Sequence, residues 1–160
     1  MRRWLKAYSN SITFSIVFSF LSSLSILSIV FLNKSEVLDN VLRIAFPIVF
    51  WLGLAGEQFF IWRANSIRKS IEKSGKFRKF KSGIGVISFL RTEAGLIADV
   101  VLALSLITLL ILIGFGVGEN VVQYIFIFLL VLSFRMHCIL NGKNFRYKKY
   151  LAKRKVDYDV

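Results

Sequence analysis

Glu57, Asp99, Arg135 and His137 are ionisable residues set inside stretches that are otherwise apolar, and Asn141 follows His137 by one helical turn. A carboxylate facing an imidazole can pass a proton, one facing a guanidinium makes an ion pair, and the set as a whole has the donor types of a metal site. Inside a membrane such groups cost several kcal/mol unless paired or hydrated, so they mark a functional site or a structural clasp. Each of the four lies about five positions from the more basic end of its stretch, about 7 to 8 Å along a helix, which puts them at one depth.

Spacing narrows the chemistry. Arg135 and His137 project about 200° apart on a helix, so one helix cannot aim both at a single narrow point. Two stripes follow, Arg135 with Cys138, and His137 with Ser133, Asn141 and Asn144. The preferred arrangement sets Arg135 against Asp99 and leaves His137 to approach Glu57, where a proton-linked pair is open, or a ligand; the reverse pairing stays open too. No His-x-x-x-His or Glu-x-x-His spacing forces metal ligands to converge. Cys138 points about 100° from its neighbour His137, whereas an activated thiol needs its base within hydrogen-bond reach. No catalytic residue, metal ligand or cofactor is therefore assigned. Glu57, Asp99, Arg135, His137 and Asn141 form a polar layer for binding or structure.

The elements that must position this layer are four apolar stretches, about Ser11 to Leu32, Val41 to Trp62, Ala94 to Gly116 and Asn120 to Leu140. Each is near the ~20 residues that a helix needs to cross a bilayer. Of the 160 residues 56% are hydrophobic, so little is left outside these stretches and the chain reads as one transmembrane domain over residues 1–160. A net charge of +13 raises nucleic acid as a partner, but the distribution of that charge argues otherwise. Lys and Arg number three before the first stretch, two around the first loop, nine from Arg63 to Arg91, none between Gly116 and Asn120, and seven from Lys143 to Lys155. Loops alternately basic and bare are the positive-inside pattern of four spans with both termini cytoplasmic, in a plasma or inner membrane. Anionic lipid headgroups then answer most of the charge. A single cysteine, Cys138, excludes an internal disulfide and a Cys-x-x-Cys redox pair. The first stretch is longer than a signal-peptide apolar region and no Ala-x-Ala site follows, so it is retained as a span.

Along the chain, Ser11, Ser15, Ser19 and Ser23 recur every four residues, continued by Ser22, Ser25 and Ser28, and read as a packing face of small residues, a scaffold or oligomer interface. Pro47 predicts a kink in the second span, and with Gly53, Gly56 and Glu57 it is similar in pattern to the broken helices that line transporter sites; glycines that seat a neighbouring helix are the plainer reading. Trp4 and Trp62 fall where a cytoplasmic aromatic belt belongs. The basic loop 63–91 begins with Ala64 to Lys73, an extension of span two or a surface-lying helix. It continues with Lys76, Arg78, Lys79 and Lys81 alternating with Phe77 and Phe80, a headgroup contact, and with Ser82 to Leu90, too short to cross. Thr92 and Glu93 open span three, and the short turn after it makes spans three and four an antiparallel hairpin. Asn141 and Gly142 end span four, with glycine able to turn left-handed. The tail 141–160, with Arg146, Lys148 and Lys149 among aromatics, is expected along the cytoplasmic surface against headgroups.

The segment Phe134-Arg135-Met136-His137-Cys138-Ile139-Leu140-Asn141-Gly142-Lys143-Asn144-Phe145 resembles the closing segment of small four-span membrane proteins of Gram-positive-type bacteria, a resemblance that brings no activity with it. The sequence thus points to an all-α, integral membrane four-helix bundle. Three classes of function follow. The first is a non-catalytic accessory, sensor or immunity-type protein acting through a membrane-protein partner or a homo-oligomer, since no motif meets the demands of catalysis. The second is an oligomeric channel or transporter using the same polar layer. The third is an intramembrane enzyme, which needs a substrate-sized pocket over the layer.

Overall fold

A backbone surrounded by apolar side chains satisfies its own N–H and C=O groups most simply as helix, and every described element is one. The computed structural model describes residues 2–31, 36–74, 92–116 and 121–158. These form α1 (Arg2–Phe31), α2 (Glu36–Lys73), α3 (Glu93–Gly114), α4 (Val121–Leu140) and α5 (Lys143–Tyr158), an all-helical bundle. Among the described residues, Arg43–Lys73, Glu93–Gly114 and Val121–Leu140 are long and apolar enough to cross a membrane. Lys76, Arg78, Lys79, Lys81 and the stretch 82–90 lie outside the described residues.

α1 packs along α2 on one side and α4 on the other, and α3 packs on α4, so the long helices follow in the order α2, α1, α4, α3. The serine stripe makes this placement of α1 feasible. Ser11, Ser15, Ser19, Ser22, Ser23 and Ser25 are all buried, and most return their protons to carbonyls of the preceding turn, as Ser15 does to Ile12 at 2.7 Å and Ser23 to Ser19 at 2.8 Å. A hydroxyl spent on its own helix can be buried without leaving a donor orphaned.

α2 runs through Pro47 as one helix, in line with the plainer of the two readings, glycines that seat a neighbour, and not with the broken-helix pattern. Proline forfeits one backbone hydrogen bond, and the turns on either side keep theirs. Gly53 and Gly56 seat α1 instead of opening α2. A Cβ at Gly53 would stand 2.9 Å from the backbone nitrogen of Ser22, and one at Gly56 would enter the ring of Phe18. Ala64 to Lys73 continues α2.

At the ends of the apolar stretches lies a buried hydrophobic cluster, formed by Tyr8 and Ile12 of α1, Ala64, Ile67 and Ile71 of α2, and Tyr147 and Leu151 of α5. One face of the tail is therefore taken up by protein, while Lys143, Lys149 and Ala152 stay exposed. Its aromatic stripe faces protein, with Tyr147 wholly buried and edge-on to Tyr8 at a 6.0 Å centroid distance. Polar contacts hold it there. Buried Arg68 donates from Nε to Asn144 Oδ1 at 3.1 Å and from Nη1 to Glu72 at 3.2 Å, and the Tyr8 hydroxyl donates to the Asn144 carbonyl at 2.7 Å. Lys149 is exposed, while Arg146 and Lys148 are half-buried; burial pushes the Lys148 ammonium below its usual range.

Burial pushes the Tyr8 phenol well above its ordinary range, with Arg68 partly opposing, and burial raises Tyr147 likewise. A group whose folded pKa is raised contributes stability below its unfolded value, about 10 for tyrosine, and loses it as pH rises beyond. Thermal melts in detergent are expected to be flat from pH 7 to 9 and to fall above about pH 10. The Tyr8→Phe/Tyr147→Phe variant should flatten that alkaline fall; an unchanged fall would show that other groups cause it.

Candidate functional site

Arg135 and His137, two positions apart on α4, serve different neighbours. As their angular separation requires, Arg135 turns toward α1 and α2 and His137 toward α3. The Arg135 guanidinium donates from Nη2 to Glu57 Oε2 and from Nη1 to the Ser22 hydroxyl, with Ser23 Oγ at 3.3 Å from the same nitrogen. His137 Nδ1 meets Asp99 Oδ1. The preferred sequence pairing, Arg135 with Asp99 and His137 with Glu57, is thus reversed. The physical reason is the position of α1. It stands between α2 and α4, and only the longer side chain of Arg135 reaches past its small Ser22 to Glu57, whereas the shorter imidazole meets the acid of the adjacent helix.

Glu57 is 6% exposed, and the Arg135 side chain 11%. A charge so placed is tolerated when its lone pairs and protons are answered. Ser22 and Ser23 take part of that load, since each already donates to the Ser19 carbonyl and so presents only an acceptor to the guanidinium. Sequence reading assigned the serine stripe to packing and missed this second role. The signal was there, because Ser22 and Ser23 are the two adjacent members of the stripe that widen it toward a second neighbour.

On the α3 side, with the proton placed on His137 Nδ1 that nitrogen donates to Asp99, since an ionised carboxylate only accepts. Asn141 Nδ2 then donates to the other oxygen, Oδ2, at 3.5 Å, and its 3.1 Å approach to His137 Nδ1 is a packing contact in that protonation state. Thr92 completes the group. Its hydroxyl caps α3 by accepting from Gly95 N at 2.9 Å and stands 3.4 Å from both Leu140 O and Asn141 Oδ1. Gly95 lets this happen, since a Cβ there would collide with the Asn141 amide. The start of α3 and the end of α4 are thereby pinned together beside the Asp99–His137 contact. Gly142 does not turn left-handed as expected. Gly116 has the positive φ, 64°, and a Cβ at Gly142 would stand 2.7 Å from the Cys138 carbonyl oxygen.

Cys138 is an exposed free thiol. It borders a cavity of about 260 Å³ with Ile12, Asn65, Ile139 and Asn144 among its walls, on the side of α4 away from Asp99. His137 is committed to Asp99, so the adjacent thiol has no base at hand, and the geometry suits a clasp better than nucleophilic chemistry. Among the described residues no three His, Cys, Asp or Glu side chains are grouped to hold a metal ion. No family model matches this chain, and no curated protein or solved structure shows significant similarity to it.

Proposed function

We propose that this chain is a four-span protein of the cell membrane, with both termini cytoplasmic, that acts without catalysis as an accessory, sensor or immunity-type protein through membrane-protein partners or a second copy. Its buried charges are a double clasp. The observation that carries the reading is that each acid of the layer is already engaged by a basic side chain of α4, Glu57 by Arg135 and Asp99 by His137. Charges consumed within the protein hold helices in place; a conduit or a reaction centre would keep at least one of them for its cargo.

Three features support the membrane setting. The three apolar helices leave large side chains such as Ile97, Leu110 and Ile113 more than 60% exposed, a surface that lipid covers and water does not tolerate. Basic and bare loops alternate. The first turns of α1, the end of α2 and α5 share one core, in keeping with termini on the same side.

The test is reconstitution. Proteoliposomes carrying the protein should move no ions or protons above lipid alone, while Asp99→Asn should lower thermal stability in detergent by about 1 to 2 kcal/mol through the lost charge-assisted bond. A proton or ion flux that Glu57→Gln or Asp99→Asn abolishes would sink the clasp in favour of transport.

A further inference from the structure

We propose, on the membrane reading above, that a groove between the first turns of α1 and the cytoplasmic end of the apolar part of α2 binds a phospholipid whose headgroup carries two phosphodiester charges. The groove is a cavity of about 290 Å³ whose walls include Arg3, Lys6, Asn10, Phe14, Phe60 and Arg63. It is a different place from the headgroup contacts that the loop and tail lysines suggest.

The sequence builds this groove from two stripes. Arg3, Lys6, Asn10 and Phe14 recur at intervals of three or four residues and so lie on one face of α1, while Phe60 and Arg63 are one turn apart on α2. The rings of Phe14 and Phe60 stack at 5.0 Å with 28° between planes, and Phe18 stacks on Phe60 at 5.5 Å. These aromatics form an apolar floor. Arg3, Lys6 and Arg63 stand above it, all exposed, and no carboxylate is among the lining residues. Like charges gathered in one groove repel one another, and a multivalent anion relieves that repulsion while filling the donors.

Depth and charge identify the ligand. Trp4 and Trp62 adjoin Arg3 and Arg63 in sequence and are 57% and 66% exposed, as aromatic side chains at the headgroup level are. Phe14 and Phe59 are also exposed, so the floor continues onto surface that acyl chains can cover. Against three cations one phosphodiester leaves two positive charges unanswered, whereas two phosphodiesters leave one. A diphosphatidyl lipid fits better than a monoanionic one.

The full chain in detergent is titrated with diphosphatidylglycerol, phosphatidylglycerol, phosphatidylcholine and inorganic pyrophosphate, and bound lipid is counted by native mass spectrometry. One diphosphatidylglycerol per chain is expected to be retained in preference to the other lipids. The Arg3→Gln/Lys6→Gln/Arg63→Gln variant should bind it on the order of a hundredfold more weakly, at about fivefold per interfacial cation. The charge-matched control Lys69→Gln/Lys73→Gln/Lys143→Gln, at exposed cations outside the groove, should stay within about twofold of the parent. Equal weakening in the two variants overturns the site by reducing it to bulk charge. Equal retention of phosphatidylglycerol overturns the diphosphate assignment, and binding of pyrophosphate as tight as that of the lipid overturns the lipid assignment. Membrane insertion is read separately, from resistance to urea extraction. A chain that stays in membranes yet fails to discriminate lipids sinks the groove alone; one released by urea sinks the membrane reading and the groove together.

Discussion

Arg135→Met is expected to cost about 3 to 5 kcal/mol, enough to unfold a protein of ordinary stability. The guanidinium answers Glu57 on α2 and is held by Ser22 and Ser23 on α1, so its removal strands a buried carboxylate and two serine acceptors at once. A stranded carboxylate escapes by taking up a proton, and protonating an ordinary carboxyl at pH 7 costs about 4 kcal/mol, which sets the scale. Glu57→Leu alone strands the cation instead and is expected to be similarly damaging. The double variant Glu57→Leu/Arg135→Met removes both charges and keeps the volume, so it should return to within about 1 kcal/mol of the parent. Thermal melts of the four proteins in detergent complete the cycle. A double variant as unstable as either single one would show that the ion pair is not what couples α4 to α2.

The second large effect concerns Gly53. Leucine there must displace the backbone of α1, since a Cβ would already lie 2.5 Å from Ser22 Cβ and 3.0 Å from its Cα. Overpacking of that kind costs about 1 to 3 kcal/mol, more when backbone must move, so Gly53→Leu should fall at or beyond the upper end. Gly53→Ala keeps the prediction testable if leucine prevents folding. Alanine gains about 1 kcal/mol of helix propensity over glycine, yet the clash should still leave it less stable than the parent. Gly114→Ala meets nothing within 4 Å, so the same substitution there should be neutral or stabilising. Melting temperatures that rank Gly53→Ala above Gly114→Ala would refute the close approach of α1 and α2. Because Ser22 also receives the Arg135 proton, a shifted α1 at Gly53 is expected to weaken the clasp as well.

Helices were legible in the sequence because their causes are local. Thr92 caps α3 where an Ncap threonine before a glutamate predicts it, and the stretch 64–73 prolongs α2. Partners were not legible to the same degree. Angular separation told that Arg135 and His137 diverge, but not which neighbour stands on which side, and the pairing depends on α1 lying between α2 and α4. Nothing local in Glu57 or Asp99 distinguishes those placements. The tail shows the same limit. Its basic and aromatic alternation fits a lipid surface as well as a protein one, and the deciding contacts, Arg68 and Tyr8 with Asn144, come from residues 76 and 136 positions away. Arg68 itself reads as one more solvated cation until Asn65, Glu72 and Asn144 gather around it.

The clasp on Glu57 also sets a timetable for synthesis. Glu57 precedes Arg135 by 78 residues, so at 5 to 20 residues per second a ribosome makes the acid about 4 to 16 s before its counter-charge. During that interval Glu57 is without the guanidinium that answers it in the folded protein. Asp99 waits less, since His137 follows it by 38 residues. A chain that ends between α2 and α4 therefore has the acid of the first clasp without its cation, and α4 supplies the basic partners of both acids.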